Sequence, residues 1–178
     1  MDRALIVLIV AYGLFGFGYI ITATFISAMV RSQPEIRSVE PVIWLAVGLA
    51  AIPSGLLWGW MGRRIGVARA FAAACLIEAA GGALSVLVIT PAAILLSAVL
   101  LGGTFVGITA LGLVQARALS KGDARRDMGF MTAAFALGQI IGPTFAGYTH
   151  GIGDSFLAPS LAAATALVVA AGLVTIRR

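Results

Sequence analysis

Six apolar runs, separated by short charged clusters, constrain this chain more than any other feature of its sequence. They cover residues 4–30, 42–61, 67–90, 91–115, 129–149 and 156–176. A helix needs about 20 residues to cross the roughly 30 Å of hydrocarbon in a bilayer, and each run is close to that length or longer. The composition agrees: 61% of the 178 residues are hydrophobic and 11% are charged, where a soluble domain carries about 25% charged residues. The expected fold is an all-α membrane protein, one membrane domain of six transmembrane helices over residues 1–178. A secretory signal is the competing reading of the first run. Its apolar region is only about 7–15 residues long, and this run continues well past that. Pro41, Pro91 and Pro159 fall in expected first turns, where a missing N–H costs nothing.

The net charge of +5 does not point to nucleic acid, because the basic residues sit between apolar runs and form no stripe on a soluble face. They point instead to an orientation. Arg3, then Arg63, Arg64 and Arg69, then Arg117, Lys121, Arg125 and Arg126, then Arg177 and Arg178 all fall on one side. The other side has Arg31 and Arg37, offset by Glu35 and Glu40, and beyond these only Asp154 and the lone His150. The positive-inside rule then places both termini in the cytoplasm of a cell with the protein in its inner membrane. Trp44 and Tyr148 are expected at the outer interface, Trp58 and Trp60 at the inner one. The cluster Lys121-Gly122-Asp123-Ala124-Arg125-Arg126-Asp127 reads as a topological anchor in contact with anionic lipid.

The spans are rich in small residues. Gly55 and Gly59, Gly103 and Gly107, and Gly138 and Gly142 are each four apart, which puts each pair on one helix face and lets backbones approach closely. Pro53 and Pro143 lie inside spans and free backbone carbonyls there. The single Cys75 excludes an internal disulfide and reads as a small buried filler.

Three segments carry a family resemblance. Gly55-Leu56-Leu57-Trp58-Gly59-Trp60-Met61-Gly62-Arg63-Arg64 resembles the signature loop of the Major Facilitator Superfamily, matching it at Gly55, Gly62, Arg63 and Arg64. Gly59 stands where that motif has Asp, and Trp60 where it has a basic residue. Gly138-Gln139-Ile140-Ile141-Gly142-Pro143, running on to Gly147, is similar to the Gly-Pro motif of the fifth or eleventh helix, with Ala146 replacing one glycine. Tyr12 to Ile21 resembles the seventh helix of the YbfB/YjiJ branch. The resemblance covers essentially the whole chain. It implies helices seven to twelve of a facilitator-type transporter, two inverted three-helix repeats at 4–90 and 91–176, and a missing first half. The chain is then expected to be a fragment, a split gene product, or a half that must find a partner.

In this family the first and fourth helices of each half line the central cavity. That implies Tyr12, Phe15, Tyr19 and Thr22 on the first span, and Thr104, Ile108, Leu111 and Gln115 on the fourth, as a face for a small organic solute. Ordinary interhelical packing is the alternative. Glu78 is the only acidic residue deep inside a span, eleven residues beyond Val67 and so about 16 Å in. A carboxyl there is costly and is by default a functional hypothesis, here proton coupling. The alternative is an acid hydrogen-bonded between helices on an outer, supporting element. Gln139, one position into the Gly-Pro segment, is expected to serve structure, and His150 to be a solvated loop residue. There is no catalytic constellation and no metal-ligand or nucleotide-binding spacing, so neither an enzyme nor a cofactor is expected.

The expected function is secondary, proton-coupled transport of a small organic solute. Its partners are the lipid bilayer, the solute and a second six-helix half, and they include no nucleic acid. A transport-incompetent fragment or helix-binding scaffold, and a six-helix transporter working as a homodimer, are the alternatives.

Overall fold

The computed structural model describes residues 2–153 and 155–176. Among these residues there are six long helices and no strand: α1 Arg3–Ser32, α2 Glu40–Ile65, α3 Val67–Leu87, α4 Pro91–Leu119, α5 Ala124–Gly153 and α6 Leu157–Thr175, with a short 3-10 turn at Arg37–Val39 before α2. All are long and apolar enough to cross a membrane. Their starts follow local chemistry. Asp2 accepts from the Ala4 N–H at the head of α1, and Thr90 accepts from the Ala93 N–H at the head of α4, with Pro91 next in line.

The helix bounds differ from the apolar runs where polar residues join the helix. α2 does not stop near Met61. It carries the signature glycines and both arginines through to Ile65, and the whole turn into α3 is Gly66. Gly66 has φ 92°, a conformation that a side chain strongly disfavours. α5 starts five residues before Gly129, with Arg125 and Arg126 in its first turn, and it includes His150, which is therefore helical and not in a loop. Arg177, Arg178 and Asp154, which entered the orientation argument, lie outside the described residues.

α3 and α6 pack on each other, and each supports one side of the bundle: α3 packs on α4, α6 on α1. α2 then lies against α4, and α5 against α1. Exchanging α1 with α4, α2 with α5 and α3 with α6 maps each of these packings onto another, and three spans apart means opposite direction across a membrane. α1, α3, α4 and α6 form the core, with Phe15, Phe71, Cys75, Ile108 and Leu167 fully buried in it. α2 and α5 are flanking helices with few buried residues.

Both flanking contacts depend on close backbone approach. A methyl group on Gly138 of α5 would meet the Gly13 carbonyl of α1, and one on Gly102 of α4 would meet the Val47 carbonyl of α2. The basic clusters share one end. The starts of α1 and α3 meet the ends of α4 and α6 around one cavity, and Lys121 bonds Asp2 at 2.9 Å.

Candidate functional site

The predicted cavity residues divide into three separate environments. Tyr12, Phe15 and Tyr19 on α1 join an aromatic cluster with Phe105 of α4 and Phe135 of α5. Tyr19 stacks on Phe105 with centroids 4.4 Å apart, and Phe135 lies 5.3 Å from both Tyr12 and Phe15. Tyr12 and Phe15 are buried, whereas Tyr19, Phe105 and Phe135 are half-exposed and make the accessible part of the cluster. The Tyr12 hydroxyl donates to the Thr109 carbonyl at 3.5 Å, at the limit of a hydrogen bond. Thr22 is buried, donates to the Gly18 carbonyl and faces Gly82 of α3.

The second environment corrects the reading of α4. Thr104, Ile108 and Leu111 were expected on an open cavity face, but all are buried, because that face turns inward. The open face of α4 carries Val99, Val106, Ala110 and Val114. Thr104 is paired with Glu78. Glu78 is 1% exposed on the small-residue face of α3, and its Oε2 accepts from the Thr104 hydroxyl at 2.8 Å. Its Oε1 is buried with no hydrogen-bond partner, and neither ion pair among the described residues involves it.

Gln115 occupies a third place. It lines a cavity of about 270 Å³ at the basic end, with Leu8 of α1, Val67 of α3, Leu119 and Leu173, about 16 Å along α4 from Thr104.

The conformational motifs are also separated by their surroundings. Gly62 packs closely under Leu111, and Gly138 and Gly142 close onto α1 at Phe17 and Ile20. Around Gly55, Gly59 and Gly147 there is space: Gly55 meets only Val106 at van der Waals distance, Gly59 only its own Arg63, and Gly147 nothing. Pro143 and Gln139 are half-buried on α5. Pro143 lacks the N–H that would bond the Gln139 carbonyl. Arg63 and Arg64 are exposed, with Arg64 over the Trp60 ring at 5.3 Å. His150 is half-buried and stacks on Phe156 with centroids 4.3 Å apart.

Trp58, expected at the inner interface, turns its ring into the bundle. It is buried, and its indole N–H donates to the Gly103 carbonyl at 2.7 Å. Beside it, the Ser54 hydroxyl donates to the same carbonyl at 2.9 Å and accepts from the Gly107 N–H at 3.1 Å. Ser54, Phe105 and Phe135 were not anticipated. A serine in an apolar run carries little signal, and the two phenylalanines are recognisable only once their helices are rotated into place.

At the basic end Ser120 donates to Asp127 at 2.6 Å. The hydrogen bond from Lys121 holds the Asp2 carboxyl below its usual range, and the same contact raises the Lys121 ammonium. No group of His, Cys, Asp and Glu among the described residues could hold a metal ion.

The sequence profile of a family described as uncharacterised MFS-type transporter YbfB matches residues 1–175. No curated protein matches the chain.

Proposed function

The chain belongs to this family of MFS-type transporters, and from that premise we propose that it is one six-helix half, equivalent to helices seven to twelve, of a proton-coupled secondary transporter for a small organic solute. It is a multi-pass membrane protein and not an enzyme. The observation that carries the proposal is the pair of small-residue stripes on the flanking helices, which no other helix covers except where Val106 meets Gly55. On α2, Gly48, Gly55 and Gly59 share one face, and on α5 so do Gly129, Ala133, Ala136 and Gly147. A methyl group would meet no other helix at Gly48, Gly59, Gly129 or Gly147. Both stripes lie beside a second stripe of large apolar residues, Leu45, Leu49 and Leu56 on α2, and Phe130, Leu137 and Tyr148 on α5. Large side chains suit lipid, and small ones suit a second protein surface. A second six-helix unit seated on both stripes encloses the α1–α4 face between them.

In this reading Tyr19, Phe105 and Phe135, backed by Tyr12 and Phe15, contribute aromatic surface to the solute site. Aromatic rings with a hydroxyl suit an amphipathic organic solute. Gln115 serves the basic end of the pathway, and Glu78 is the proton-carrying group. The basic end faces the cytoplasm of the inner membrane, which puts Arg3, Arg63, Arg64, Arg125 and Arg126 at an anionic surface.

The test is reconstitution in vesicles with a pH-sensitive dye inside. The chain is assembled either with a separate six-helix N-terminal unit or alone, and single cysteines at Gly55 and Gly147 report the neighbour by crosslinking in a Cys75→Ala background. Crosslinks to the second unit, together with internal pH changes on addition of a small organic solute, support the half-transporter. Crosslinks only between copies of this chain, with solute-driven pH changes, replace it with the homodimer. Crosslinks without any solute-driven pH change leave a scaffold.

A further inference from the structure

We propose that Thr104 is a positioning residue of the Glu78 proton site, and that it transmits the protonation state of Glu78 to the middle turn of α4 and so to α2. In purpose this rests on the proton-coupled reading, but the chemistry is measurable in a chain that moves no solute.

At Thr104 two acceptors compete for one donor. The Thr104 oxygen lies 2.8 Å from Glu78 Oε2 and 2.7 Å from the Leu100 carbonyl oxygen. Its single hydroxyl proton serves one of these at a time. With Glu78 ionised, Thr104 donates to the carboxylate and the Leu100 carbonyl loses its side-chain partner. With one proton added to Glu78, the acid O–H donates to Thr104 Oγ, and Thr104 donates to Leu100. One proton arrives from water, none is lost, and one hydrogen bond changes its acceptor. Glu78 Oε1 is buried and without a partner in the bundle, so Oε2 is the oxygen that carries the added proton and passes the change to Thr104.

Other titratable groups near Glu78 are few. Cys75 on its own helix and Tyr19 on α1 lie within electrostatic reach. The described residues of α6 include no charged group, and those of α2 and α4 have theirs only near the helix ends: Glu40, Arg63, Arg64 and Arg117. Thr104 is therefore the polar contact through which Glu78 acts on the rest of the bundle.

The receiving turn is built to register the change. Residue 103, next to Thr104, presents its carbonyl to Trp58 and Ser54 of α2, and Ser54 also takes the Gly107 N–H. α4 is thus gripped at one level by α3 through Thr104 and by α2 through Gly103. Gly102, Gly103 and Gly107 leave this turn without side-chain bulk. A switch of the Thr104 hydrogen bond re-weights the carbonyls of one short glycine-rich turn, and the Trp58 indole reads the far side of it.

Trp58 also supplies the measurement. With Trp44→Phe and Trp60→Phe it becomes the sole tryptophan, and its emission is followed in liposomes with pH equalised across the membrane by an ionophore. The expected result is a one-proton transition in emission that is lost in Glu78→Gln and Thr104→Val. It is kept in Thr104→Ser, Tyr19→Phe and Cys75→Ala. Should Thr104→Val lose its helical circular dichroism, Thr104→Ala is read in its place. The proposal is overturned if the parent shows no transition, if the transition survives Glu78→Gln, if it depends on Tyr19 or Cys75, or if Thr104→Ser behaves as Thr104→Val. A transition of the expected pattern in a chain that transports nothing keeps the switch and removes the transport reading. Glu78-dependent transport with a Trp58 emission indifferent to pH does the reverse.

Discussion

Alanine at Gly107 and alanine at Gly103 should move stability in opposite directions, although the two glycines are one helical turn apart. At Gly103 a methyl group meets nothing within 4 Å. Replacing a helical glycine by alanine there gains about 0.5–1 kcal/mol from backbone entropy alone. At Gly107 the same methyl overlaps the Trp58 side chain, lying 2.7 Å from its Cβ and closer still to the ring. The ring cannot turn aside freely, because its N–H is bonded to the Gly103 carbonyl at 2.7 Å. Overpacking of this kind costs about 1–3 kcal/mol, and breaking the indole bond adds about 0.6 kcal/mol on the scale measured between membrane helices. After the entropy gain, Gly107→Ala is destabilising by about 1–3 kcal/mol, which separates the two variants by roughly 2–4 kcal/mol. Reversible unfolding of the purified chain in mixed micelles, followed by circular dichroism, measures both. Trp58→Ala supplies the control: in that background Gly107→Ala should lose its penalty, so that the double variant is more stable than the sum of the single effects. If Gly107→Ala is as stable as Gly103→Ala, or if its cost persists without the indole, the α2–α4 packing described here is wrong.

The remaining expectations concern the other contacts. Gly138→Leu should strip α5 from α1, because its side chain would enter the Gly13 carbonyl, whereas Gly147→Leu should leave the isolated chain intact and weaken only crosslinking to a second six-helix unit; unfolding and crosslinking yields separate the two. Glu78→Gln should remove solute-driven proton movement while keeping the fold, since an amide still accepts from Thr104; unchanged proton movement in the assembled protein ends the coupling role. The Asp2–Lys121 pair should protect the first turn of α1 through the neutral range. Because the Asp2 carboxyl is lowered, its contribution is present above the ordinary carboxylate range and fades as pH falls through the lowered value. Because Lys121 is raised, its contribution is present below the ordinary ammonium range and fades as pH rises through the raised value. Hydrogen exchange in residues 3–8, corrected for intrinsic rates, should quicken at either extreme, in molar salt and in Asp2→Asn; rates that ignore all three mean the pair holds nothing.

Much of this architecture is legible in the amino-acid sequence. The number and length of the spans come from apolar runs, because transfer into hydrocarbon is close to additive along the chain and needs no tertiary partner. The basic clusters separated one end from the other for the same local reason. The family resemblance at Gly62-Arg63-Arg64 and around Gly142-Pro143 was carried by residue identity, and so was the oddity of a lone carboxyl at Glu78. Helix ends were less legible: Arg63 and Arg125 look like loop residues in composition, but nothing stops an arginine from closing the last or opening the first turn of a helix.

Which way each helix turns was decided only in three dimensions. These helices are apolar on nearly every side, so no stripe in the sequence distinguishes the face that meets lipid from the one that meets another helix. Trp58 and Trp60 are two residues apart and look alike as interface aromatics, yet one ring is bonded to Gly103 in the interior and the other lies exposed beneath Arg64. Thr104 has the spacing of a cavity residue and is instead the partner of Glu78. Gly59 and Gly107 are both members of glycine pairs spaced four apart, but one meets only Arg63 of its own helix and the other a ring. The sequence by itself determined how many helices there are, how long they are and which ends share a side, because those depend on solvent. Tertiary packing decided which small residues touch and which polar atoms find each other, because those depend on the rotation and crossing of helices whose own surfaces express no preference.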